Sequence, residues 1–539
     1  MDLLLSGIEI LARWDVALAL LVGSVGGVLI GAIPGVGPAV AIAILLPATF
    51  SMDPIVGLTV LLGIYGSSMY GGSIPAILIN TPGTAVNALT TYDGFPMTTR
   101  GEARRALSLA YSSSFFGGVF SVICLILFAP FLAKIAPMFG SREIFLAALL
   151  GIILVVIAHR KHSLIAAALA CFGIWLNTIG LHAASYSKRY TFDQSWLSGG
   201  VNLIVVVLGL FALSQAFILL QGEDERTRLT KLKGSFFQGF RELARHPRVA
   251  GVSGLFGVVM GMIPGVGEFT AQFMSYSYAQ RSSKRPEDFG HGSSEGLIAA
   301  ETANNAVPAA AMVPLLALGI PGEALTAMML SVFYVHNVIP GPGLFQNHMD
   351  FVVALYVSLL VLNVLVVIFL LVATNQLIKV VNIPNRFLGV CILTLSFVGV
   401  YSLRNSLTDC ILAAAFGILG FILKRLHLPI VPIILGMVLG GIMEVKLRSA
   451  MARVKTPFDF IDRPIAMILF LMIVLVLGLH VRRVWLDRKL RKAKTWSTSH
   501  ASTSFAAHLY RRKDYLLTER GKTARAKRST YSRPSTGKK

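Results

Sequence analysis

The side chains of this sequence that could bind a small charged molecule stand beside short glycine–proline breaks in apolar segments. The stretch NTPGT places Asn80, Thr81 and Thr84 around Pro82 and Gly83. A helix that restarts after such a break presents free N–H groups and the positive end of its dipole, which favour a carboxylate. Carbonyl oxygens freed on the other side of the break suit Na⁺. This break therefore predicts a substrate site, and the alternative is that its Asn and Thr side chains hydrogen-bond neighbouring helices together.

Acidic and amide side chains precede a second break of the same kind. The stretch ETANN (301–305) leads towards Gly319-Ile320-Pro321-Gly322, and Glu301 lies four residues before Asn305, on the same helix face. A carboxylate in an apolar segment is costly and is therefore a functional candidate by default. We predict that Glu301 holds a coupling ion, either a proton or Na⁺. The predicted substrate contacts of this region are Asn304, Asn305 and Gly322.

Other residue types give no sign of catalysis. Glu268 and Glu323 each follow a glycine break, where they could cap a helix or line a cavity. The four cysteines lie in or beside apolar segments without C-x-x-C spacing, which favours packing over metal binding or disulfides. The sequence has no nucleophile–base arrangement, no metal-ligand spacing and no Walker A motif. It therefore predicts neither an enzyme nor a resident cofactor or metal.

The elements that must position these residues include two copies of one glycine-rich segment. The stretches GSVGGVLIGAIPGVGPAV (23–40) and SGLFGVVMGMIPGVGEFT (253–270) share IPGVG, and their small residues match. Small residues at every fourth position let another helix approach closely. Pro ends a helix and Gly permits left-handed backbone, and irregular backbone inside a membrane must be buried in protein or line a polar cavity. The predicted substrate-binding glycines of these segments are Gly35, Gly37, Gly265 and Gly267.

The composition places both segments in a membrane. Of the 539 residues, 55% are hydrophobic and 14% are charged, whereas a soluble domain carries about 25% charged residues. Apolar runs long enough to cross ~30 Å of hydrocarbon recur from end to end. The chain is therefore expected to be a polytopic α-helical membrane protein.

The distribution of basic residues gives the two glycine-rich segments opposite orientations, because cytoplasmic loops are enriched in Lys and Arg. The second segment has basic loops on both sides and the first has none, so each is predicted to be a hairpin that returns to its own side. Inverted repeats with broken helices at corresponding positions are typical of secondary transporters, so we expect Asn80 and Asn305 to face one cavity. Loops 98–105, 222–248 and 281–285 are placed inside and 47–54 and 336–350 outside, whereas 185–190 and 448–455 fall outside although they carry basic residues.

The predicted fold is an all-α polytopic membrane protein with two inverted-topology repeats, re-entrant or broken helices, and about 11 full spans plus hairpins. Four spans should follow the hairpins in each half, beginning near residues 106, 141, 163 and 200 and near 351, 387, 408 and 429. The expected boundaries are 1–220 for the first repeat, 221–250 for a cytoplasmic linker, 251–447 for the second, inverted repeat, 448–483 for a final transmembrane helix and 484–539 for a basic tail.

The net charge of +22 comes mainly from that tail, since roughly two-thirds of the excess lies after Val481. The tail has few apolar residues and cannot bury a core. We interpret it as a disordered cytoplasmic tail beside anionic membrane lipid and predict no nucleic-acid partner. A tail that binds a partner is the alternative.

Five stretches together resemble TctA, the large membrane subunit of the tripartite tricarboxylate transporter family, over about residues 5–480. The resemblance implies a carrier of the bacterial inner membrane that is driven by an ion gradient. It also implies a small membrane subunit and a periplasmic solute-binding protein that delivers an organic carboxylate. The stretches are GAIPGVGPAVAIAILLP, YGGSIPAILINTPGTAVNALTTYDGFPM, GMIPGVG, EGLIAAETANNAVPAAAMVPLLALGIPG and LPIVPIILGMVLGGIMEVKLR.

This sequence departs from the family pattern at two acids and in its tail. Glu268 and Glu323 stand where the pattern has small or neutral residues, and a basic tail after Val481 is unusual. Extra negative charge near the site would repel a plain tricarboxylate, so the two acids favour a bound cation or a less charged substrate.

The predicted function is that of a secondary-active symporter that moves an organic carboxylate, a tricarboxylate or a related anion, inward by alternating access. It is expected to be multi-pass in the inner membrane, with the tail inside. A receptor or scaffold acting through the basic tail is the first alternative, although a scaffold needs no polar breaks. A lipid-processing membrane enzyme is the second, although the sequence lacks a reactive cluster.

Overall fold

The computed structural model describes residues 2–486 except 160–161, 183–185, 223–236, 381–382 and 454–455. The middle of the predicted linker and the predicted basic tail from residue 487 onward therefore lie outside the described residues. The chain up to Leu471 forms one compact unit, and the chain from Met472 onward belongs to a second.

The part of the chain before the linker is built from ten helices within the described ranges. A π-helical segment, Leu208–Leu213, joins the last two of them. Two short strands, β1 (Gly180–Leu181) and β2 (Lys188–Arg189), pair antiparallel. The helices are α1 (Asp2–Ala12), α2 (Trp14–Gly31), α3 (Gly37–Thr49), α4 (Pro54–Ile79), α5 (Thr90–Thr99), α6 (Ala103–Ile135), α7 (Ser141–Ala158), α8 (Ser163–Thr178), α9 (Leu203–Val207) and α10 (Ser214–Gln221).

The later part is built from twelve α-helices within the described ranges. It consists of α11 (Gln238–Leu243), α12 (Pro247–Met262), α13 (Gly267–Ser282), α14 (Ser294–Asn305), α15 (Val307–Leu318), α16 (Ala324–Val335), α17 (Pro342–Asn347), α18 (Met349–Val380), α19 (Asn385–Arg404), α20 (Leu407–Arg425), α21 (Val431–Met451) and α22 (Pro464–Leu486). The eight spans expected after the hairpins fall on α6, α7, α8 and α9–α10 and on α18, α19, α20 and α21. Of these, α8 and α21 are not among the described helices that are long and apolar enough to cross a membrane.

Length and composition make this a polytopic membrane protein. Within the described ranges, nine helices are long and apolar enough to cross a membrane: α2, α4, α6, α7, α9–α10 taken together, α18, α19, α20 and α22. Shorter apolar helices, α3, α8, α12 and α16, stand among them. The prediction of an all-α polytopic membrane protein is confirmed.

Each glycine-rich segment is a hairpin whose two ends lie together. In the first, Arg13 before α2 places a guanidinium nitrogen 3.6 Å from the carboxylate of Asp53, which precedes α4. In the second, His246 before α12 lies 3.3 Å from Glu295 at the start of α14. The start of each pair, α2–α3 and α12–α13, therefore lies beside the start of the helix that follows the pair.

Small residues allow the first arm of each hairpin to pack closely against the helix that follows the hairpin. A Cβ atom added at Gly23 of α2 would stand 2.5 Å from the carbonyl oxygen of Val60 in α4. A Cβ atom at Gly257 of α12 would stand 2.5 Å from the carbonyl oxygen of Ala303 in α14. The four-residue spacing of small residues thus brings backbone against backbone, as the sequence predicts.

This packing predicts a difference between two glycines of α2. Gly23→Ala should destabilise the protein by about 1–3 kcal/mol, because the methyl group has to displace the α4 backbone. Gly26→Ala should be neutral or stabilising by up to about 1 kcal/mol, because a Cβ atom there meets nothing within 4 Å and Ala favours the helix. Thermal unfolding of the detergent-solubilised proteins measures both. Equal melting temperatures for the two variants would contradict the close packing.

Candidate functional site

The tip of the first hairpin is left-handed backbone bonded to the NTPGT break. Gly35 and Gly37 have φ values of +79° and +64°, which side chains disfavour. The N–H of Gly35 donates to the carbonyl oxygen of Gly83 at 3.0 Å. The hairpin tip and the following break, both predicted from sequence, are thus in direct contact.

The second hairpin repeats this geometry. Gly265 and Gly267 have φ values of +80° and +70°, and the N–H of Gly265 donates to the carbonyl oxygen of Gly322 at 2.6 Å. The long helices before the two breaks also end alike, since Asn80 and Gly319 are left-handed caps with φ values of +57° and +68°. The backbone of both predicted breaks is therefore built to one plan.

Asn80 and Asn305, which we expected to face one cavity, differ in burial and in backbone role. Asn80 matches Gly319 rather than Asn305, and its side chain is exposed beside exposed Thr81. Asn305 is 4% exposed and lies at the end of α14. Asn80 therefore serves the backbone of its break as a cap. The sequence did not reveal this because Asn and Gly share the capacity for left-handed backbone.

Thr84, the remaining predicted residue of the first break, turns inwards. It is buried, and its hydroxyl donates to Oδ1 of Asn87 at 2.5 Å. The amide nitrogen of Asn87 donates in turn to the carbonyl oxygen of Met69 in α4. Thr84 thus fixes the short turn that leads from the break to α5.

Glu301 is the centre of a buried polar cluster that joins three helices. Its side chain is 0% exposed. The hydroxyl of Thr90, at the start of α5, donates to Oε1 at 2.5 Å, and that of Ser114, in α6, donates to Oε2 at 2.9 Å. Nδ2 of Asn305 lies 2.7 Å from the Ser114 hydroxyl and 3.5 Å from Oε2. We call these four side chains the Glu301 cluster.

The Glu301 cluster contains no counter-charge. The ion pairs found among the described residues do not include Glu301. A buried carboxylate surrounded only by neutral groups is costly in its charged form, and a proton or a bound cation removes that cost. The arrangement can therefore take up and release a positive ion.

Several buried polar atoms near the second break have no hydrogen-bond partner among the described residues. They are both amide atoms of Asn304, both amide atoms of Gln272, Oδ1 of Asn305, Oε1 of Glu268 and Oε1 of Glu323. Such atoms are costly unless a ligand or water satisfies them. Sequence reasoning missed Gln272, although it follows the acid at 268 by four residues on one face of α13.

Asp93 connects α5 by hydrogen bonds to α13 and to the loop before α14. Its Oδ1 accepts the backbone N–H groups of Gly290, Gly292 and Ser293 at 2.8–2.9 Å, and the hydroxyl of Tyr276 donates to Oδ2 at 2.8 Å. The loop that Asp93 holds leads directly into α14. Asp93 therefore positions α14, which carries the centre of the Glu301 cluster, by bonds that local sequence does not reveal.

A second network holds the start of α14 against α6 and α11. Arg105 pairs with Glu242 at 2.5 Å and with Glu102 at 2.6 Å, and the hydroxyl of Ser294 donates to Glu242. Burial acts to raise the pKa of Glu242, but hydrogen bonds from Arg105 and Ser294 keep that pKa below its usual value. Glu242 therefore stays charged near neutral pH and keeps the network intact.

Comparison with known proteins identifies one family. Residues 17–435 match the family described as the tripartite tricarboxylate transporter TctA family. An uncharacterized 52.8 kDa protein in the TAR-I ttuC' 3' region of Agrobacterium vitis is 35% identical over 449 residues, which cover 83% of this chain and 89% of that protein. An uncharacterized protein in the TAR-II ttuC' 3' region of the same organism is 36% identical over 195 residues, which cover 36% of this chain and 81% of that protein. No solved structure matches the chain.

The Glu301 cluster predicts a difference between two adjacent threonines. Thr90→Val should destabilise the protein by about 1–3 kcal/mol, because it removes a hydroxyl donor from a buried carboxylate. Thr91→Val should cost less, because the Thr91 hydroxyl bonds only the carbonyl oxygen of Ala88 in the preceding turn. Thermal unfolding in detergent compares the two variants.

A double-mutant cycle tests whether the effect of Thr90→Val passes through Glu301. In a Glu301→Gln background the cost of Thr90→Val should shrink, since neighbours that share a hydrogen bond are not additive. An undiminished cost in that background would show that Thr90 acts through another contact.

Proposed function

Because this chain belongs to the tripartite tricarboxylate transporter TctA family, we propose that it is the large permease subunit of a binding-protein-dependent symporter. In this proposal it imports an organic carboxylate by alternating access, driven by a proton or Na⁺ gradient. The observation that carries the proposal is the Glu301 carboxylate of α14, which is fully buried and accepts hydrogen bonds from neutral donors of α5 and α6.

The paired breaks supply the substrate site in this proposal. Helices α3, α13 and α16 each begin just after a break, so their first N–H groups lack intrahelical partners and favour an anion. The unpaired amide groups of Asn304 and the free Oδ1 of Asn305, at the end of α14, are further buried polar atoms that a ligand would satisfy in this proposal. Substrate specificity then depends on the side chains around four segments of irregular backbone: 32–36, 80–84, 263–266 and 319–323.

Coupling follows from the neutralisation of Glu301. A proton or Na⁺ that enters the cluster removes the cost of burying the carboxylate, and it leaves again when the site meets water on the other side. Thr90 and Ser114 come from the first repeat and Glu301 from the second. Occupation of the cluster therefore changes the attraction between the two repeats, which is the requirement for coupling an ion to alternating access.

The remaining parts of the proposal concern partners and location. Tripartite systems of this family include a small membrane subunit and a periplasmic solute-binding protein, which we propose as partners. We propose the bacterial inner membrane as the location, with the basic tail in the cytoplasm, where Lys and Arg are enriched.

Glu301→Gln tests the coupling role. Gln keeps the shape of the side chain but cannot hold a coupling charge, so exchange of substrate should persist while gradient-driven accumulation falls to its level without a gradient. Proteoliposomes containing the full chain and its partner proteins, with radiolabelled citrate as probe, measure both activities. Glu287→Gln, in an exposed loop, is the control and should behave as wild type.

Two results would remove Glu301 from the coupling role. Equal loss of exchange and accumulation would place it in the substrate shell or the structural core. Unchanged accumulation would exclude it from the mechanism.

Labelling of single cysteines tests the proposed inverted topology. In a background without the native cysteines, an impermeant maleimide applied to cells should label exposed positions 51 and 346 and should not label positions 99, 245 and 284. Permeabilised cells should label all five. If positions 245 and 284 label from opposite sides, the second hairpin crosses the membrane and the repeats are not inverted as proposed.

A further inference from the structure

A buried amide faces the tip of the first hairpin. Gln215 of α10 is 7% exposed, and its Oε1 accepts a hydrogen bond from Nζ of Lys424 at 3.0 Å. Its Nε2 lies 3.4 Å from the place where a Cβ atom of Gly35 would stand. No bond found within the described part of the chain uses this Nε2. A donor is therefore held, unpaired, against the break.

Lys424 brings a positive charge to the same place. Besides Gln215, its Nζ donates to the carbonyl oxygen of Phe211 at 3.3 Å, which lies in the π-helical segment between α9 and α10. π-Helical turns are rare and are frequent at functional sites. An ammonium group has three donors, so one is left over. The ion pairs among the described residues do not include Lys424.

The hairpin tip offers room and further donors. Gly35 is exposed, and a Cβ atom at Gly37 would have the Thr84 side chain as its nearest neighbour, at 3.9 Å. Helix α3 begins at Gly37, so the N–H groups of its first turn lack intrahelical partners and the positive end of its dipole lies here. The Lys424 ammonium group, the unpaired amide nitrogen of Gln215 and the N-terminus of α3 thus lie around the exposed tip of the first hairpin.

We propose that Gln215, Lys424 and the first turn of α3 form a binding site for one carboxylate group of the transported anion. This inference rests on the proposed transport function and names the residues that would recognise the charge of the substrate. A carboxylate suits the site because it accepts charge-assisted hydrogen bonds from an ammonium group and further bonds from amide N–H groups.

The second hairpin provides an internal comparison. Around Gly265, where the backbone repeats that of Gly35, the side chain of Val155 occupies the place that Gln215 takes at the first tip. The same backbone thus carries an amide and a cation at one tip and an aliphatic side chain at the other. Because of this difference, we place the binding site for the carboxylate group of the transported anion at the first tip.

Substitutions at the two side chains test the site. Gln215→Leu and Lys424→Met should raise the half-saturating concentration about tenfold to 100-fold, because each removes a hydrogen bond to a charged group. Lys424→Arg keeps the charge and should retain most of the affinity. Arg425→Gln is the matched control, since Arg425 is the adjacent exposed cation and bonds Gln221 instead. The assay is uptake of radiolabelled citrate, succinate and acetate into proteoliposomes that contain the full chain and its proposed partner proteins, scaled to the inserted protein.

Gln215→Glu separates anion binding from structural support. The new carboxylate would pair with Lys424 and occupy the place of the anion, so uptake should be lost while the melting temperature is kept or raised. If Gln215 serves only to hold Lys424, this stronger partner leaves uptake at the wild-type level, and that result overturns the proposal. If the Lys424→Met protein does not insert into the membrane, the two Gln215 variants are sufficient to test the proposed site.

The outcomes distinguish failure of the carboxylate site from failure of the proposed transport function on which it rests. Uptake by the wild-type protein together with normal affinity in Gln215→Leu and Lys424→Met overturns the carboxylate site and leaves transport standing. Failure of the wild-type protein to take up any of the three probes overturns the transport function and the site together. Weakened uptake in both variants with normal uptake in Arg425→Gln supports the site.

Discussion

A carboxylate buried without a counter-charge is the constraint on which the arrangement of this protein depends. Glu301 is fully buried, and its oxygens are met by hydroxyl groups from α5 and α6. Those donors have to be held in place, because the loss of hydrogen bonds to a buried carboxylate strongly destabilises the folded protein. The break at Pro82 and Gly83 turns the chain so that α5 can reach α14. Asp93, one turn after Thr90, then ties α5 to the loop that begins α14.

The two hairpins and the breaks that follow them share a backbone plan but carry different polar chemistry. The bond from Gly35 to Gly83 recurs between Gly265 and Gly322, with the same left-handed glycines at both tips. Backbone geometry of this kind depends on Gly and Pro, which both repeats keep. The side chains around the breaks are free to differ, so one backbone plan can hold an anion at the first hairpin tip while a cation binds at the Glu301 cluster. Both sites in this account are our proposals, and both follow from that asymmetry.

Sequence alone predicted whatever depends on local pattern. Apolar length predicted a polytopic helical membrane protein. Gly and Pro predicted both breaks, because each acts through its own backbone. The acid at 301 stood out because an acid in an apolar segment is rare. Sequence could not reveal the donors around it, since Thr90 lies 211 residues away in the chain. The pairing of Gln215 with Lys424 spans 209 residues and depends on how α10 packs against α20.

The two charge sites that we propose give the proposed coupling a physical basis. Like charges about 10–15 Å apart repel by about 1–2 kcal/mol at an effective dielectric constant of about 20. In our proposal, an ionised Glu301 at such a separation from the bound anion would oppose it by that amount, and a bound proton or Na⁺ would remove the repulsion. The gain is about fivefold to 30-fold in anion affinity, and by linkage the anion strengthens ion binding by the same factor.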